Sequence, residues 1–389
     1  MTTRRHLLAL PAIPALATFG ELAFAQSDAL KIGVILPMTG PQASTGRQID
    51  AAIKLWMAQN GGKAAGRKLE VLIKDDAGVP DTTRRLAQEL VVNDKVVALA
   101  GFGLTPCALA AAPIATQSKT PLVVMAAGTS SITEASPFIT RTSVTLPQVA
   151  VAMAEWSNKN GIKRVMTLVS DYGPGIDAEK YYADRVILNS GTVVEKLRTP
   201  LRSPDFAPML QKVRDAKPDA LFVFLPSGQG APFMKQFAER GLDKSGIRLI
   251  GAGEITDDDQ LADIGDVALG IVTTHHYSAA HPSAMNKKWV ADFQAMHKFR
   301  PNFMAVGGWD GMQLIAKGLS ATKGAGGEAL INAMKGQVWE SPRGQIHIDA
   351  QTRDIVQDLY IRKAEKRDGQ IWNIEFDAIK QLKDPGKLK

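Results

Sequence analysis

Two short segments rich in glycine and hydroxyl residues each directly follow a predicted strand. Residues 103–105 (Gly-Leu-Thr) follow one strand and precede a helix, and residues 127–130 (Ala-Gly-Thr-Ser) follow the next strand along the chain. Side-chain hydroxyls and free backbone N–H groups at adjacent strand ends hold anions such as carboxylates without any reaction taking place. A single loop of this kind is most often a helix cap or a turn. Two neighbouring loops favour a binding site.

Two further strand ends carry polar residues in the second half of the chain. Asp171-Tyr172-Gly173 and Gly253-Glu254 each end a predicted strand. Ligands of α/β sheets bind beyond the carboxyl ends of the strands. We therefore expect these residues to face the first two loops across a cleft.

The common catalytic and nucleotide-binding motifs are missing from the sequence. Gly101-Phe102-Gly103 begins like a dinucleotide fingerprint, but Pro106 occupies the position of its third glycine. The motifs G-x-x-x-x-G-K-[ST], G-x-S-x-G and H-E-x-x-H do not occur. The sequence therefore indicates a protein that binds a ligand rather than an enzyme, with an exported hydrolase as the enzymatic alternative.

The spacing of the histidines, of an aspartate run and of the single cysteine indicates neither a metal site nor a catalytic nucleophile. His275, His276 and His281 lack the spacing of metal ligands, and we expect them to be surface or hinge residues. The run Asp257-Asp258-Asp259 suits a helix N-terminus better than a cation site. Cys107, the single cysteine, is expected to be a packed residue. We therefore predict neither a metal nor a cofactor.

Composition is that of a globular protein with a basic balance. The chain has 389 residues, 45% of them hydrophobic and 22% charged, and a formal net charge of +7. At about 150 residues per domain this length predicts two or three domains. The basic residues are scattered singly and are not interleaved with aromatic residues on one element, so no nucleic-acid partner is expected.

The first 25 residues have the pattern of an export signal. Arg4 and Arg5 precede an apolar run at residues 7–19, and Ala23-Phe24-Ala25 provides a cleavage site. Residues 3–8 also resemble a twin-arginine signal, so both the general and the twin-arginine routes stay open. We expect an exported, periplasmic protein, and its one cysteine excludes an intrachain disulfide.

Strands and helices alternate along the rest of the chain. The first predicted set has strands at residues 31–37, 69–76, 96–101 and 121–126, and helices at residues 48–59, 81–92 and 106–117. The second has helices at residues 149–160, 175–189, 206–216 and 231–240, and strands at residues 164–170, 192–198, 219–225 and 247–253. Such alternation is typical of mostly parallel sheets covered by helices. Two consecutive sets predict an α/β protein with two lobes and a ligand cleft between them.

Three segments resemble those of a known family. They are KIGVILPMTGP at residues 31–41, NGG followed by GRKLEVLIKDD at residues 60–76, and SDYGPG at residues 170–175. With them the chain is similar to the periplasmic solute-binding proteins of ABC importers, of the branched-chain amino acid (leucine/isoleucine/valine-binding) class. The resemblance implies the type I periplasmic binding fold with three crossovers, a monomer, and ABC importer permease subunits as membrane partners. It places lobe 1 at residues 28–147 plus 275–350, and lobe 2 at residues 148–274 plus 351–389.

The resemblance also assigns roles to individual residues. Thr105, the backbone at Ala127, and Thr129 would hold the carboxylate of the ligand. Tyr172 matches the cleft tyrosine of the second lobe, and Glu254 lies at or next to the acid that receives an amino group. The other residues expected at the site are Phe102, Gly103, Gly128, Thr45, Ser227 and Phe303.

This chain departs from the family pattern at the side-chain pocket and at a disulfide. Thr45 and the segment around Ser227 lack the aromatic residues that the family usually has there, which predicts a larger pocket and a bulkier ligand, such as an aromatic or keto acid. Gly78 and Leu104 occupy the positions where the family has a disulfide in the first lobe.

We expect the lobes to close on the ligand. A sensory receptor for the same ligand is the alternative to an importer component.

Overall fold

The computed structural model describes Thr2 and residues 29–388, so the predicted export signal at residues 1–25 lies almost entirely outside the described residues. The strands are β1 (Leu30–Leu36), β2 (Lys63–Ala64), β3 (Arg67–Asp75), β4 (Ala98–Gly101), β5 (Leu122–Val124), β6 (Ile139–Arg141), β7 (Arg164–Ser170), β8 (Thr192–Thr199), β9 (Ala220–Phe224), β10 (Arg248–Ala252), β11 (Val272–His275), β12 (Val338–Ser341), β13 (Gly344–Ile348), β14 (Ile355–Arg367) and β15 (Gln370–Leu382). The helices are α1 (Ala43–Gln59), α2 (Pro80–Val92), α3 (Thr105–Ser118), α4 (Leu146–Lys159), α5 (Gly173–Leu188), α6 (Ala207–Ala216), α7 (Gly230–Glu239), α8 (Leu261–Ile264), α9 (Ala284–His297), α10 (Phe303–Ala321) and α11 (Gly327–Met334).

The first sheet has the strand order β2-β3-β1-β4-β5-β6. Every pair from β3 to β6 is parallel, and only the short β2 is antiparallel to its neighbour. The direction of winding reverses between β1 and β4. A crevice for ligands forms at such a reversal, beyond the carboxyl ends of the strands.

The second sheet repeats this arrangement and extends it. Strands β8-β7-β9-β10-β11 are parallel, and the winding reverses between β7 and β9. The long strand β14 adds to β11 in antiparallel fashion and also pairs with β13 and β15. The mixed α/β architecture with two helix-flanked sheets confirms the predicted fold class.

The chain passes from one sheet to the other three times. It leaves the first sheet after β6, returns after β11 to form α9 and α10, and enters the second sheet again through β14. Helix α10 packs along α1, while α4 packs on α5 and on strands of the second sheet. The β12–β13 hairpin serves both sides, because Trp339 and Ile346 lie in the core of the first sheet while β13 pairs with β14.

Buried aliphatic and aromatic side chains fill the space between sheets and helices. Ile32, Val34 and Leu99 of the first sheet and Val165 and Phe222 of the second are fully buried. Burial of such side chains stabilises a fold by about 1.5–3 kcal/mol each. The core divides into one large cluster around the first sheet, which also takes in residues of β12 to β14, and two clusters on the second sheet.

The start of helix α1 and the contact between Gly78 and Leu104 bear on the sequence predictions. Helix α1 begins at Ala43, five residues before the predicted start, and includes Gly46, where a side chain would come within 2.4 Å of the Pro37 carbonyl oxygen. Gly78 and Leu104 are neighbours, since a Cβ on Gly78 would lie 3.2 Å from a Leu104 methyl group. Packing therefore takes the place of a disulfide at these two positions.

None of the helices among residues 29–388 is long and apolar enough to span a membrane.

Candidate functional site

A small cavity lies between the carboxyl ends of the two sets of parallel strands. Nine of the eleven expected site residues line it: Thr45, Gly103, Thr105, Ala127, Gly128, Tyr172, Ser227, Glu254 and Phe303. Two do not. Thr129 lies directly behind Thr105, and the side chain of Phe102 is fully buried in the core of the first sheet.

Thr105 forms one part of the cavity wall, and the hydroxyl of Thr129 pairs with its hydroxyl. Thr105, the first residue of α3, and Thr129, which follows β5, place their Oγ1 atoms 2.8 Å apart. One hydroxyl donates to the other, so the second keeps a proton to donate to a ligand. Thr105 also lies at a helix N-terminus, where backbone N–H groups lack acceptors within the helix. The pair therefore suits an anionic oxygen.

The N-terminus of α5 reaches the same place from the second sheet. A Cβ on Gly173, the first residue of α5, would lie 2.5 Å from Thr129 Oγ1 and 3.3 Å from Thr105 Cγ2. The N-termini of α3 and α5 thus converge on the threonine pair. Both present the positive ends of their helix dipoles, which adds to the preference for a negative charge.

The loop that carries Thr129 is fixed by a buried arginine. Arg141 donates to the carbonyl oxygens of Ala127, Thr129 and Ser130, and its Nε lies 2.8 Å from Asp354. Both Arg141 and Asp354 are fully buried. Three hydrogen bonds therefore anchor the loop to a buried, ion-paired arginine.

The backbone at Ala127 is already used within the protein. Its N–H donates to the Phe102 carbonyl oxygen at 3.0 Å, and its carbonyl accepts from Arg141 and, at 3.3 Å, from Ser143. The Ala127 N–H is therefore already paired in this structure, and its role in holding the carboxylate stays a prediction. Phe102 acts through its backbone, in a left-handed conformation with φ of 64°, and not through its ring.

Ser227 lines the cavity but its hydroxyl is also committed. It donates to Asp257 Oδ2 at 2.7 Å. Asp257 and Asp258 are buried, and Asp258 accepts from Asn373 and lies 3.8 Å from Arg362. The acidic run is thus a buried connection between segments distant in sequence, and the expectation of a simple helix N-terminus is wrong.

Glu254 and two histidines form another part of the wall. Glu254 follows β10, while His275 ends the neighbouring strand β11 and His276 comes next. Glu254 Oε1 lies 3.5 Å from His275 Nε2. All three residues line the cavity and are at least 95% buried. The surface interpretation of the two histidines is therefore wrong, although their position after β11 is at a crossover between the sheets.

Burial sets the protonation states around the cavity. It lowers the pKa of His275, against the opposing charge of Glu254. Burial and the positive charge of Arg343 hold the pKa of His276 well below its ordinary value. Burial and the negative charge of Glu254 raise the pKa of Tyr172. At neutral pH both imidazoles are uncharged and the phenol keeps its proton.

Apolar and aromatic side chains complete the wall. Phe303 stacks against His275 with ring centroids 3.9 Å apart, and Tyr172 stacks on Phe224 at 6.1 Å. Met125 and Leu104 add aliphatic surface. A flat, apolar ligand body with polar groups at its ends matches this lining.

Side chains from the two sheets touch on both sides of the cavity. The first clamp consists of Thr129, Ser130, Gly173 and Asp177, in which the Ser130 N–H donates to Asp177 Oδ2 at 2.8 Å. The second clamp consists of Asp259 and the three residues that donate hydrogen bonds to it, Ser44, Arg47 and Asn302. Asp259 accepts from Ser44 at 2.8 Å and from Asn302 at 3.1 Å. Both sets of contacts connect residues on opposite sides of the cleft.

No group of three or more histidine, cysteine or acidic side chains among residues 29–388 is placed to hold a metal ion. Cys107 is buried beside Asp76, and burial together with that negative charge raises the pKa of its thiol to about 12.

His275 and His276 are the main cavity residues that the sequence did not predict. Their place at the end of an apolar strand was the available signal.

Comparison with known proteins agrees with this geometry. Residues 29–370 match the family described as periplasmic binding protein. A Leu/Ile/Val-binding protein homolog 6 from Brucella abortus (strain 2308) is 40% identical over 382 residues, which cover 96% of this chain and 98% of the relative.

Two solved structures are similar along nearly the whole chain. A solute-binding protein of an ABC transporter from Rhodopseudomonas palustris BisB5, in complex with 3,4-dihydroxybenzoic acid, is 60% identical with a TM-score of 0.91, and the match covers 93% of this chain and all of that one. Another from R. palustris, in complex with 4-hydroxybenzoate, is 39% identical with a TM-score of 0.90 over the same shares. On its sequence, its two-sheet fold and its cleft, the chain belongs to the periplasmic binding protein family.

Proposed function

We propose that this protein captures a small aromatic carboxylate in the cleft between its sheets and delivers it to an ABC importer. The observation that carries the proposal is the cavity itself, in which the threonine pair and two helix N-termini adjoin walls of aromatic and aliphatic side chains. The ligands of the two similar solved proteins, 3,4-dihydroxybenzoic acid and 4-hydroxybenzoate, are of this class.

In this proposal Thr105 holds the carboxylate and Thr129 orients the Thr105 hydroxyl from behind. Micromolar affinity corresponds to about 8 kcal/mol. A hydrogen bond to a charged group contributes about 1.5–3 kcal/mol. Two or three such bonds and the burial of an aromatic ring both contribute to the affinity, and the cost of association is subtracted from their sum. The ring would lie against Phe303 and Tyr172, where the small Thr45 leaves room for it.

Closure of two lobes accounts for the contacts across the cleft. We assign residues 28–147 plus 275–350 to lobe 1, and residues 148–274 plus 351–389 to lobe 2. The first and second clamps then join the lobes only when they are closed. A ligand that touches both lobes shifts the population toward that state, because it binds the closed form better than the open one.

A branched-chain amino acid is the second candidate ligand. The 40% identical relative carries the name of a Leu/Ile/Val-binding protein homolog, and Glu254 is a buried acid that can accept an ammonium group. The lining favours the aromatic acid, because Glu254 is accompanied by two neutral imidazoles and by aromatic walls.

Membership of the family supports a proposal about where the protein acts and what it binds. We propose a periplasmic monomer, exported by the signal at residues 1–25, that docks on the permease subunits of an importer. A receptor that presents the same ligand to a membrane signalling protein would use the same cleft. Neighbouring genes for a permease and an ATPase would distinguish the two roles.

A thermal-shift screen tests the ligand class. The purified protein would be heated with benzoate, hydroxybenzoates, phenylpyruvate and the branched-chain amino acids, each at several concentrations. A ligand that binds only the folded state raises the melting temperature in step with RT ln(1 + [L]/Kd). We expect the aromatic carboxylates to give the largest shifts. Shifts from the amino acids alone would contradict the proposal.

A further inference from the structure

Three buried polar side chains at the cavity wall lack ordinary partners. Among the residues that the structure describes, Glu254 Oε2 and both ring nitrogens of His275 form no hydrogen bond of good geometry, and neither does the ring of His276 apart from an approach to the Phe303 backbone. The approach between Glu254 Oε1 and His275 Nε2 is long, at 3.5 Å. Buried polar groups are normally paired, and leaving one unpaired costs about 1–3 kcal/mol. Such a group at the wall of a ligand cavity points to a polar atom of the ligand.

These three side chains are on a different part of the cavity from the threonine pair. Thr105 and Thr129 adjoin the first clamp through Gly173. Glu254 instead lies beside His275, whose ring centroid is 3.9 Å from that of Phe303, and Phe303 directly follows Asn302 of the second clamp. A ligand that spans the cavity therefore meets the hydroxyl pair with one end and Glu254 with the other.

We infer that Glu254, His275 and His276 form a hydroxyl subsite, which selects aromatic acids that carry ring hydroxyl groups away from the carboxylate. This inference rests on the proposed function. A phenolic hydroxyl donates one hydrogen bond and accepts others, whereas the carboxylate of Glu254 only accepts. A neutral imidazole offers one N–H donor and one acceptor nitrogen. One hydroxyl can thus donate to Glu254 and accept from an imidazole, and a second, adjacent hydroxyl has the other imidazole to meet.

The subsite predicts weaker binding of aromatic acids that lack a ring hydroxyl. Benzoate has no group to pair with Glu254, so its binding would leave the buried carboxylate and imidazoles unsatisfied or keep a water among them. A site built to hydrogen-bond a hydroxyl rejects the analogue that lacks it much more strongly than an apolar pocket rejects a missing methylene group. In an α-amino acid the amino group is attached next to the carboxylate, so it lies too near the threonine pair to span the cavity in the same way.

The experiment compares ligand ratios in variants. Dissociation constants for 3,4-dihydroxybenzoate, 4-hydroxybenzoate and benzoate would be measured by calorimetry with the wild-type protein, Glu254→Met and His275→Phe. Glu239→Met, at an exposed position on α7, is the matched control. Circular dichroism and melting temperature would establish that each variant is folded. If Glu254→Met does not fold, Glu254→Gln replaces it, since the amide keeps the shape and loses the charge.

We expect the wild-type protein to bind the dihydroxy acid at least tenfold more tightly than benzoate. In Glu254→Met and in His275→Phe this ratio should fall below about threefold, while Glu239→Met keeps it. Equal affinity of the wild type for hydroxylated and unsubstituted benzoate would overturn the subsite and leave the proposed function intact. If both cavity variants keep the wild-type ratio of affinities for the dihydroxy acid and benzoate, the subsite is also overturned, because the hydroxyl would then be recognised elsewhere. If none of the three acids binds, the proposed function itself is wrong.

Discussion

Thr105 Oγ1 and Thr129 Oγ1 lie 2.8 Å apart, although the two residues come from loops that follow different strands. The contact exists because β4 and β5 are adjacent and parallel, so that their carboxyl ends open at the same edge of the first sheet. Only Thr105 faces the cavity. The two hydroxyls therefore have different roles in the proposed site, one in contact with ligand and one behind it.

The first prediction separates these two roles. Thr105→Val should weaken the binding of 3,4-dihydroxybenzoate at least tenfold, because it removes the hydroxyl that meets the carboxylate. Thr129→Val should cost less, about threefold, because it removes only the partner that orients Thr105. Calorimetry measures both, and Thr192→Val on exposed β8 is the control. Equal, small effects of the two cavity substitutions would contradict the assignment.

The second prediction concerns closure at Gly173. Alanine at this position would place a methyl group 2.5 Å from Thr129 Oγ1, so Gly173→Ala should hinder the closed state and weaken binding at least tenfold. Ligand-induced compaction, measured by small-angle X-ray scattering, should shrink or vanish. Gly326→Ala is the control, since its nearest contact is an ordinary 3.4 Å. Normal compaction in Gly173→Ala would show that the first clamp does not limit closure.

The third prediction concerns the second clamp. Asp259→Ala removes the acceptor for Ser44 and Asn302, and with it the ion pair to the largely exposed Arg47, which contributes little. We expect ligand to dissociate about three to tenfold faster, as measured by stopped-flow fluorescence. Asp266→Ala removes an exposed acid from the same part of the chain and should leave the rate unchanged. An unchanged rate in Asp259→Ala would mean that this clamp does not stabilise the closed form.

The fourth prediction concerns pH. Burial and nearby Arg343 lower the pKa of His276 well below its ordinary value, so the folded protein resists the proton that the unfolded chain takes up below about pH 6.5. The unfolded state then binds more protons, and the free energy of unfolding falls as pH falls, by at most about 1.4 kcal/mol per pH unit from this residue. His276→Asn should lose less stability than the wild type between pH 7.5 and pH 5.5. Urea unfolding at both values measures this, and an identical loss would show that His276 is protonated normally in the folded state.

The alternation of strands and helices was readable from the sequence because each element is short and periodic. Strand β7 has the predicted bounds, residues 164–170. Helix α1 begins earlier than predicted and runs through Gly46, where packing on Pro37 requires a residue without a side chain. Local signals of this kind cannot show which distant backbone will pack on a glycine.

The site was only partly readable for a related reason. Strand ends located Thr105, Tyr172 and Glu254 at the cleft, and the cavity wall includes all three. The burial of His275 depends instead on Phe303 and on the neighbouring β14, which lies more than 75 residues further along the chain. The family pattern likewise did not reveal that the Ala127 amide is occupied by Phe102.

The most direct test of the account is a calorimetric comparison of two ligands on the wild-type protein. The account predicts that 3,4-dihydroxybenzoate binds with a dissociation constant in the micromolar range or below, and that leucine binds at least a hundredfold more weakly. Leucine binding as tightly as the aromatic acid, or no detectable binding of the aromatic acid, would contradict it.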